Sequence, residues 1–141
     1  MGGSCCHNYP QYRLVDRRRV FGCSCKEQYS SVSLEWFDGD WSAFSQVQMD
    51  LRNPGPEAQD LMLKVFDREH EKHNFDYDDR FHQEVHLPAG EAITVMVSLD
   101  AVKHAPTTRE MNMNDIRILE LYAIEPNEAF VFFIDNVRLI P

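Results

Sequence analysis

Beyond Cys25 the chain contains no cysteine. Its four cysteines fall in two close pairs, Cys5-Cys6 and Cys23-x-Cys25. A disulfide framework is normally spread over the whole fold, so this distribution speaks against a disulfide-dependent domain. Cys5, Cys6, His7, Cys23 and Cys25 could be imagined around zinc. They lack the Cys-x-x-Cys knuckles that tetrahedral zinc usually takes, and free thiols are the simpler reading. No apolar run approaches the length of a membrane span. The N-terminus has no apolar core of the kind a secretory leader carries. Gly2 is followed at position 6 by Cys6 instead of Ser or Thr, which argues against myristoylation. The default expectation is a cytoplasmic protein, or a fragment whose targeting segment lies elsewhere. There is no Gly-x-Ser-x-Gly, no glycine-rich phosphate loop and no His-Glu-x-x-His. Nucleophile-elbow, phosphate-loop and zincin chemistry are thereby set aside.

What is present fits one globular domain. The chain has 141 residues, 43% hydrophobic and 26% charged, enough to bury a two-layer core without staples. Its formal net charge is -9; the first 26 residues are net +4, which leaves about -13 on the rest. An acidic body repels phosphate backbones, so nucleic acid is not expected as a partner. The Arg17-Arg18-Arg19 run reads as a solvated segment or as a mate for the protein's own acidic surface.

Residues 1–10 form a lead-in marked by Gly2, Gly3 and Pro10, and residues 11–141 the domain itself. From Gln11 to Cys25 a weakly patterned strand pair is expected. The clear strands begin at Ser31. Val32, Leu34 and Trp36 share a face; so do Val47, Met49 and Leu51, with Gln48, Asp50 and Arg52 opposite. Asn53-Pro54-Gly55-Pro56 ends that strand. Further strands are predicted at Leu61–Asp67, Arg80–Leu87, Ala92–Leu99, Ile116–Ile124 and Phe130–Leu139. Between them lie a polar loop over residues 68–79 and an irregular stretch over residues 100–114, with a possible helical turn from Met111 to Asp115. Ile116–Ile124 is read as a strand because Ile118, Glu120, Tyr122 and Ile124 alternate. Roughly eight strands at intervals of about ten residues predict an all-β, antiparallel two-sheet fold, a β-sandwich or jelly roll.

A resemblance rests on these segments together. Asp40-Trp41-Ser42, Val47 to Gly55, Leu63-Lys64-Val65-Phe66-Asp67, His70, Tyr77-x-Asp79-Arg80-Phe81, Leu87-Pro88-Ala89-Gly90 and Ile134-Asp135-Asn136-Val137-Arg138-Leu139 follow in order over most of the chain. The pattern resembles galactose-binding-like jelly-roll domains: the soluble domain of some VanZ-like membrane proteins and, more distantly, several carbohydrate-binding module families. The resemblance implies a glycan- or polyol-binding β-sandwich without catalysis. It also implies a structural calcium held by an acidic residue near the first strand and by Asp135. The first strand lacks a clear acidic residue, and Asp16 is the available substitute. No other cofactor is expected.

Three constellations could carry chemistry. The loop holding Asp67, His70, His73, Asp76, Asp78, Asp79 and Arg80 offers carboxylates and a guanidinium fork for paired hydrogen bonds to adjacent hydroxyls. Phe75 and Tyr77 offer ring faces to the C–H side of a sugar. The proposed ligand set is Asp67, His70, Tyr77, Asp79 and Arg80. An equal claim belongs to a structural network in which Asp67 and Asp79-Arg80 pin the loop. His82, Glu84 and His86 alternate on one strand, about 7 Å apart at each step of two. They form a transition-metal set if they converge, or else the polar outer face of a strand whose inner face is Phe81, Gln83, Val85 and Leu87. Trp36 reads as core, and Trp41 as structural packing ahead of a stacking platform. A metal-dependent jelly-roll enzyme and a protein-assembly module are the alternatives to carbohydrate recognition; the pattern leaves oligomeric state open.

Overall fold

In the computed structural model, residues 21–25, 31–35, 37–124 and 130–141 are described. Among these residues eight strands run in the order β1 (Phe21–Cys25), β2 (Ser31–Leu34), β3 (Gln46–Arg52), β4 (Gln59–Asp67), β5 (Phe81–Leu87), β6 (Ala92–Ser98), β7 (Ile116–Ala123) and β8 (Phe130–Ile140). A short helix, α1 (Leu99–Lys103), follows β6. One sheet has the order β1-β8-β3-β6 and the other β2-β7-β4-β5, with every pairing antiparallel. This is the two-sheet antiparallel sandwich expected from the strand spacing, in the jelly-roll order that the resemblance implied.

The period of two does the sorting. Val47, Met49 and Leu51 on β3, and Val95 and Val97 on β6, turn inward from one sheet. Leu61, Leu63 and Val65 on β4 meet them from the other, with Val85 and Leu87 on β5. On β7 the buried residues are Ile116 at its start and then Leu119, Leu121 and Ala123, so Ile118, Glu120 and Tyr122 form the outward set. On β5 the alternation fails at Gln83, which is exposed although it shares a face with Val85. Strand β5 is the edge of its sheet, where the rim of the interior is open to water.

The stretch after β6, predicted to be irregular, begins with helix α1, which the Ser98 side chain caps by accepting from the Ala101 N–H. Residues 111–115 hold a turn, closed by Asp115 N–H donating to the Asn112 carbonyl at 3.1 Å, and no helix. Trp41 is fully buried, packs against Phe37 with 5.5 Å between ring centroids, and donates its backbone N–H to the Met113 carbonyl. Trp36, Asp16, Cys5, Cys6, His7 and most of the expected Gln11–Cys25 strand pair lie outside the described residues, as does the run Arg17-Arg18-Arg19. Among the described residues no helix is long and apolar enough to cross a membrane.

Candidate functional site

A β-bulge opens between Phe66 and Asp67 where β4 leaves its pairing with β7. Bulges re-aim side chains, and here Val65, Phe66 and Asp67 are all buried in succession. Asp67 then caps a 3-10 turn over Arg68–His73 by accepting the His70 N–H at 3.1 Å. Asn74 and Phe75 both take left-handed backbone, with φ of 56° and 55°. That sharp reversal folds the loop back over the outer face of the β2-β7-β4-β5 sheet. His70 stacks on Phe66 at 4.6 Å, and Phe75 meets both rings edge-on. A second 3-10 turn, Tyr77–Asp79, is capped by Asp76 and leads into β5.

Beneath this loop lies a buried charge network. Arg109 enters from the segment after α1 and places its guanidinium between two carboxylates. Its Nη1 and Nη2 donate to Asp67 at 2.7 and 2.8 Å, and its Nε and Nη2 donate to Asp79 at 2.8 and 2.9 Å. The fifth donor, on Nη1, reaches the Glu110 carbonyl. All five guanidinium N–H groups are therefore occupied. Asp67 also accepts the Asn112 N–H at 2.7 Å, so its two oxygens take four hydrogen bonds. The Nδ1 of His70 lies 3.0 Å from the Asp79 carbonyl and 3.1 Å from its Oδ2; both are acceptors, so Nδ1 carries the proton.

Electrostatics follow from that geometry. Burial pushes the Asp67 carboxyl up, but the hydrogen bonds from Arg109 and the Asn112 N–H outweigh it and hold the group below the usual range. Arg109 hydrogen bonding does the same for Asp79 against its burial. The two carboxylates in turn raise Arg109. Asp67, His70 and Asp79 are thus brought together as the sequence suggested, as the brace of the loop, and their polar atoms face one another. The cation in the brace is Arg109 and not Arg80. Arg109 sits in a non-repeating segment, Thr107 to Met111, with nothing periodic to mark it. The available clue was two carboxylates at the ends of buried segments, which demand a cation from somewhere.

What the brace presents is different. Phe75 and Tyr77 are 59% and 54% exposed, among the few large apolar side chains that face solvent. The Tyr77 ring stacks on His82 at 4.1 Å, and the Arg80 guanidinium lies 5.0 Å from the same ring. The Nε of Arg80 and the Nδ1 of His82 are buried with no hydrogen-bond partner among the described residues. Burial and the neighbouring Arg80 charge lower the His82 pKa, which keeps that ring neutral.

Strand register sets His82 beside Lys64, Lys64 beside Glu120 and Glu120 beside Ser33. A polar row therefore crosses all four strands from the Tyr77 corner, about 14 Å from β5 to β2 at the usual strand spacing. Lys64 is paired with Glu120 at 3.2 Å and lies near the rings of Phe66 and Tyr122. Ser33 donates to Glu120 at 2.8 Å. The alternation on β7 had marked Glu120 and Tyr122 as one face; the pairing to Lys64 appears only with the register.

The two metal expectations meet different surroundings. His82 is tucked beneath Tyr77, Glu84 is exposed, and His86 pairs with Asp60 at 2.7 Å. Asp135 sits beside the β3–β8 register shift, where it accepts the Asn136 N–H and Asn136 takes a left-handed φ of 54°. Among the described residues no three His, Cys, Asp or Glu side chains converge on a point that could hold an ion. The described residues around Asp135 do not by themselves complete a calcium cage, and the other residue suggested for it, Asp16, is outside them.

No family model matches the sequence, and no curated protein does. Solved structures do match the fold. A family 11 carbohydrate-binding module from Clostridium thermocellum, in complex with a β-1,3-1,4-mixed-linked tetrasaccharide, is 13% identical with a TM-score of 0.61, over 86% of this chain and 82% of that one. A family 28 module specific for non-crystalline cellulose is 11% identical with a TM-score of 0.53, over 86% and 73%. An agarase is 17% identical with a TM-score of 0.65, but 86% of this chain spans only 21% of it. The architecture is that of the carbohydrate-binding-module jelly rolls, as the motif order implied.

Proposed function

We propose that this domain is a non-catalytic carbohydrate-binding module. The observation that carries the reading is the pair of exposed rings, Phe75 and Tyr77, on a loop made rigid by a saturated ion network. Rings held in place lose little entropy on stacking against the C–H face of a sugar. Arg80 supplies donors beside Tyr77, and the row His82, Lys64, Glu120, Ser33 supplies donors and acceptors along the open sheet. A glycan lying across the strands from the Tyr77 corner would meet both. Asp67, His70 and Asp79 act in this scheme by fixing the loop, while Tyr77 and Arg80 touch the ligand.

The test is calorimetric titration with mixed-linked β-glucan and with agarose oligosaccharides. Tyr77→Ala is expected to weaken binding at least tenfold, about 1.4 kcal/mol, while the domain stays folded with only a modest drop in thermal stability from the lost His82 stacking. Absence of binding to both saccharides, or equal affinity in the variant, would defeat the proposal.

A further inference from the structure

We infer that the domain pairs with a second copy of itself along β6, the two strands running antiparallel about a two-fold axis at Val95. Four strands lie at the edges of the two sheets: β1, β6, β2 and β5. Natural edges are kept from pairing by shortness, charge, proline or a bulge. Strands β1 and β2 are short, at five and four residues. Strand β5 carries Glu84 and the Asp60-paired His86, and it runs into Pro88. Strand β6 has none of these guards. It spans seven residues, Ala92–Ser98, with no charge and no proline, and its register with β3 is unbroken. Met96 in its middle is 62% exposed, the most exposed large apolar side chain among the described residues.

The ladder shows which backbone groups of β6 point outward. At one end the Leu99 N–H donates to the Ser45 carbonyl at 2.9 Å; at the other the Glu91 carbonyl accepts the Asn53 N–H at 2.9 Å. Both contacts continue the register that sets Gln46 beside Ser98 and Arg52 beside Ala92. Residues of an antiparallel pair alternate between bonding across it and turning away. Odd-numbered residues of β6 therefore bond β3, while Ala92, Thr94, Met96 and Ser98 direct their N–H and C=O groups out of the sheet. Among the described residues no strand answers them.

A second copy answers them in one register better than in its neighbours. Two identical antiparallel edges bond only where outward residues oppose outward residues. An axis at Val95 sets Thr94 against Met96 of the second copy and Ala92 against its Ser98, and symmetry repeats both pairs. All four outward residues are then used; an axis at Thr94 or Met96 leaves one of them beyond the partner strand. On the interior side Ile93, Val95 and Val97 fall opposite Val97, Val95 and Ile93, apolar against apolar. Charge also favours an identical strand. Glu91 falls opposite Leu99 and Asp100 opposite Gly90, so no like charges oppose at the seam although each chain carries -9 overall. A seven-residue edge lies at the small end of specific interfaces, below about 1,200 Å² in total, so the dissociation constant is expected between about 10 µM and 1 mM. The pairing is independent of whether the Tyr77 corner binds glycan.

The test uses the full chain under reducing conditions, so that no cysteine links the copies, at about 150 mM salt to screen the net charge. Sedimentation equilibrium from about 10 µM to about 1 mM should show a monomer–dimer equilibrium. Amide hydrogen exchange on the ¹⁵N-labelled chain reads the geometry. Between the lowest and highest concentration, exchange at Thr94 and Met96 should slow at least threefold, while the outward amides of β5 stay unchanged. Met96→Lys should raise the dissociation constant at least tenfold, because the pairing brings the two new ammonium groups onto one diagonal, about 7–8 Å apart. Met96→Pro removes an N–H that bonds the second copy and none that bonds β3, and should do the same. The substituted side chain is exposed, so at least Met96→Lys is expected to keep the native amide spectrum. A monomer at every concentration overturns the inference, and this outcome needs no variant. So does a dimer whose affinity is unchanged in the folded Met96 variants, or protection that appears elsewhere in the chain. Thr94 and Met96 amides already protected in the dilute monomer would also overturn it, since another segment of the same chain would then hold the edge.

Discussion

Arg109→Ala should be the most damaging single change in the loop region. The substitution deletes a guanidinium that makes four hydrogen bonds to two carboxylates, Asp67 with no exposed side-chain surface and Asp79 with 6%. It strands two buried negative charges beside each other. Breaking a buried ion pair by removing one partner costs about 3–5 kcal/mol. A domain of this size is stable by only about 5–15 kcal/mol, so the loss takes a large part of the total. At roughly 3 °C per kcal/mol, the midpoint of thermal unfolding should fall by about 10–15 °C. Arg109→Lys keeps the charge but not the planar fork, and should fall between the two. Chemical denaturation at neutral pH measures the difference directly. The deficit should shrink as the pH drops, because protonating Asp67 and Asp79 removes the charges that need Arg109. A loss under about 1 kcal/mol for Arg109→Ala would show that the network contributes little, and the rigid-loop argument would fall with it.

Asp67 and Asp79 both sit below the usual carboxylate range in the fold. Their stabilisation is fully present above the unfolded value of about 3.9 and is lost as pH falls through the lower folded values; acid titration followed by circular dichroism should show stability declining steeply below about pH 4. Gly39→Ala should destabilise by about 1–3 kcal/mol in urea unfolding, since an added Cβ would stand 2.5 Å from the Ile116 carbonyl oxygen across a close backbone contact. Asn53→Ala should cost about 1–3 kcal/mol. The buried Asn53 amide donates to the Glu57 carbonyl and accepts the Gly55 N–H, so its loss orphans the turn after β3.

The sandwich was legible because its signal is local and repeated. Val47, Met49 and Leu51 declare their face by alternation alone, and all three are buried. The jelly-roll type came from the order of several weak motifs, each uninformative by itself. The loop was legible in composition but not in roles. Asp67, His70 and Asp79 do gather, yet the side chain that gathers them comes from residue 109, roughly thirty to forty positions later in the chain. Nothing in a window of neighbouring residues records that contact. The same holds for Lys64 and Glu120, which become partners through β4–β7 register. Helix α1 was missed because five residues are too few to display a period of 3.6; its capping serine was the visible clue.

The place of β8 in its sheet has a consequence for biosynthesis. Strand β3 hydrogen-bonds to β6 on one side and to β8 on the other, and among the described strands β1 is attached through β8 alone. A ribosome delivers β8 after the other seven strands. Until it arrives, β1 has no neighbour among the described strands of its sheet and β3 keeps an unsatisfied edge, so the first sheet can close only once the last of its strands has been made.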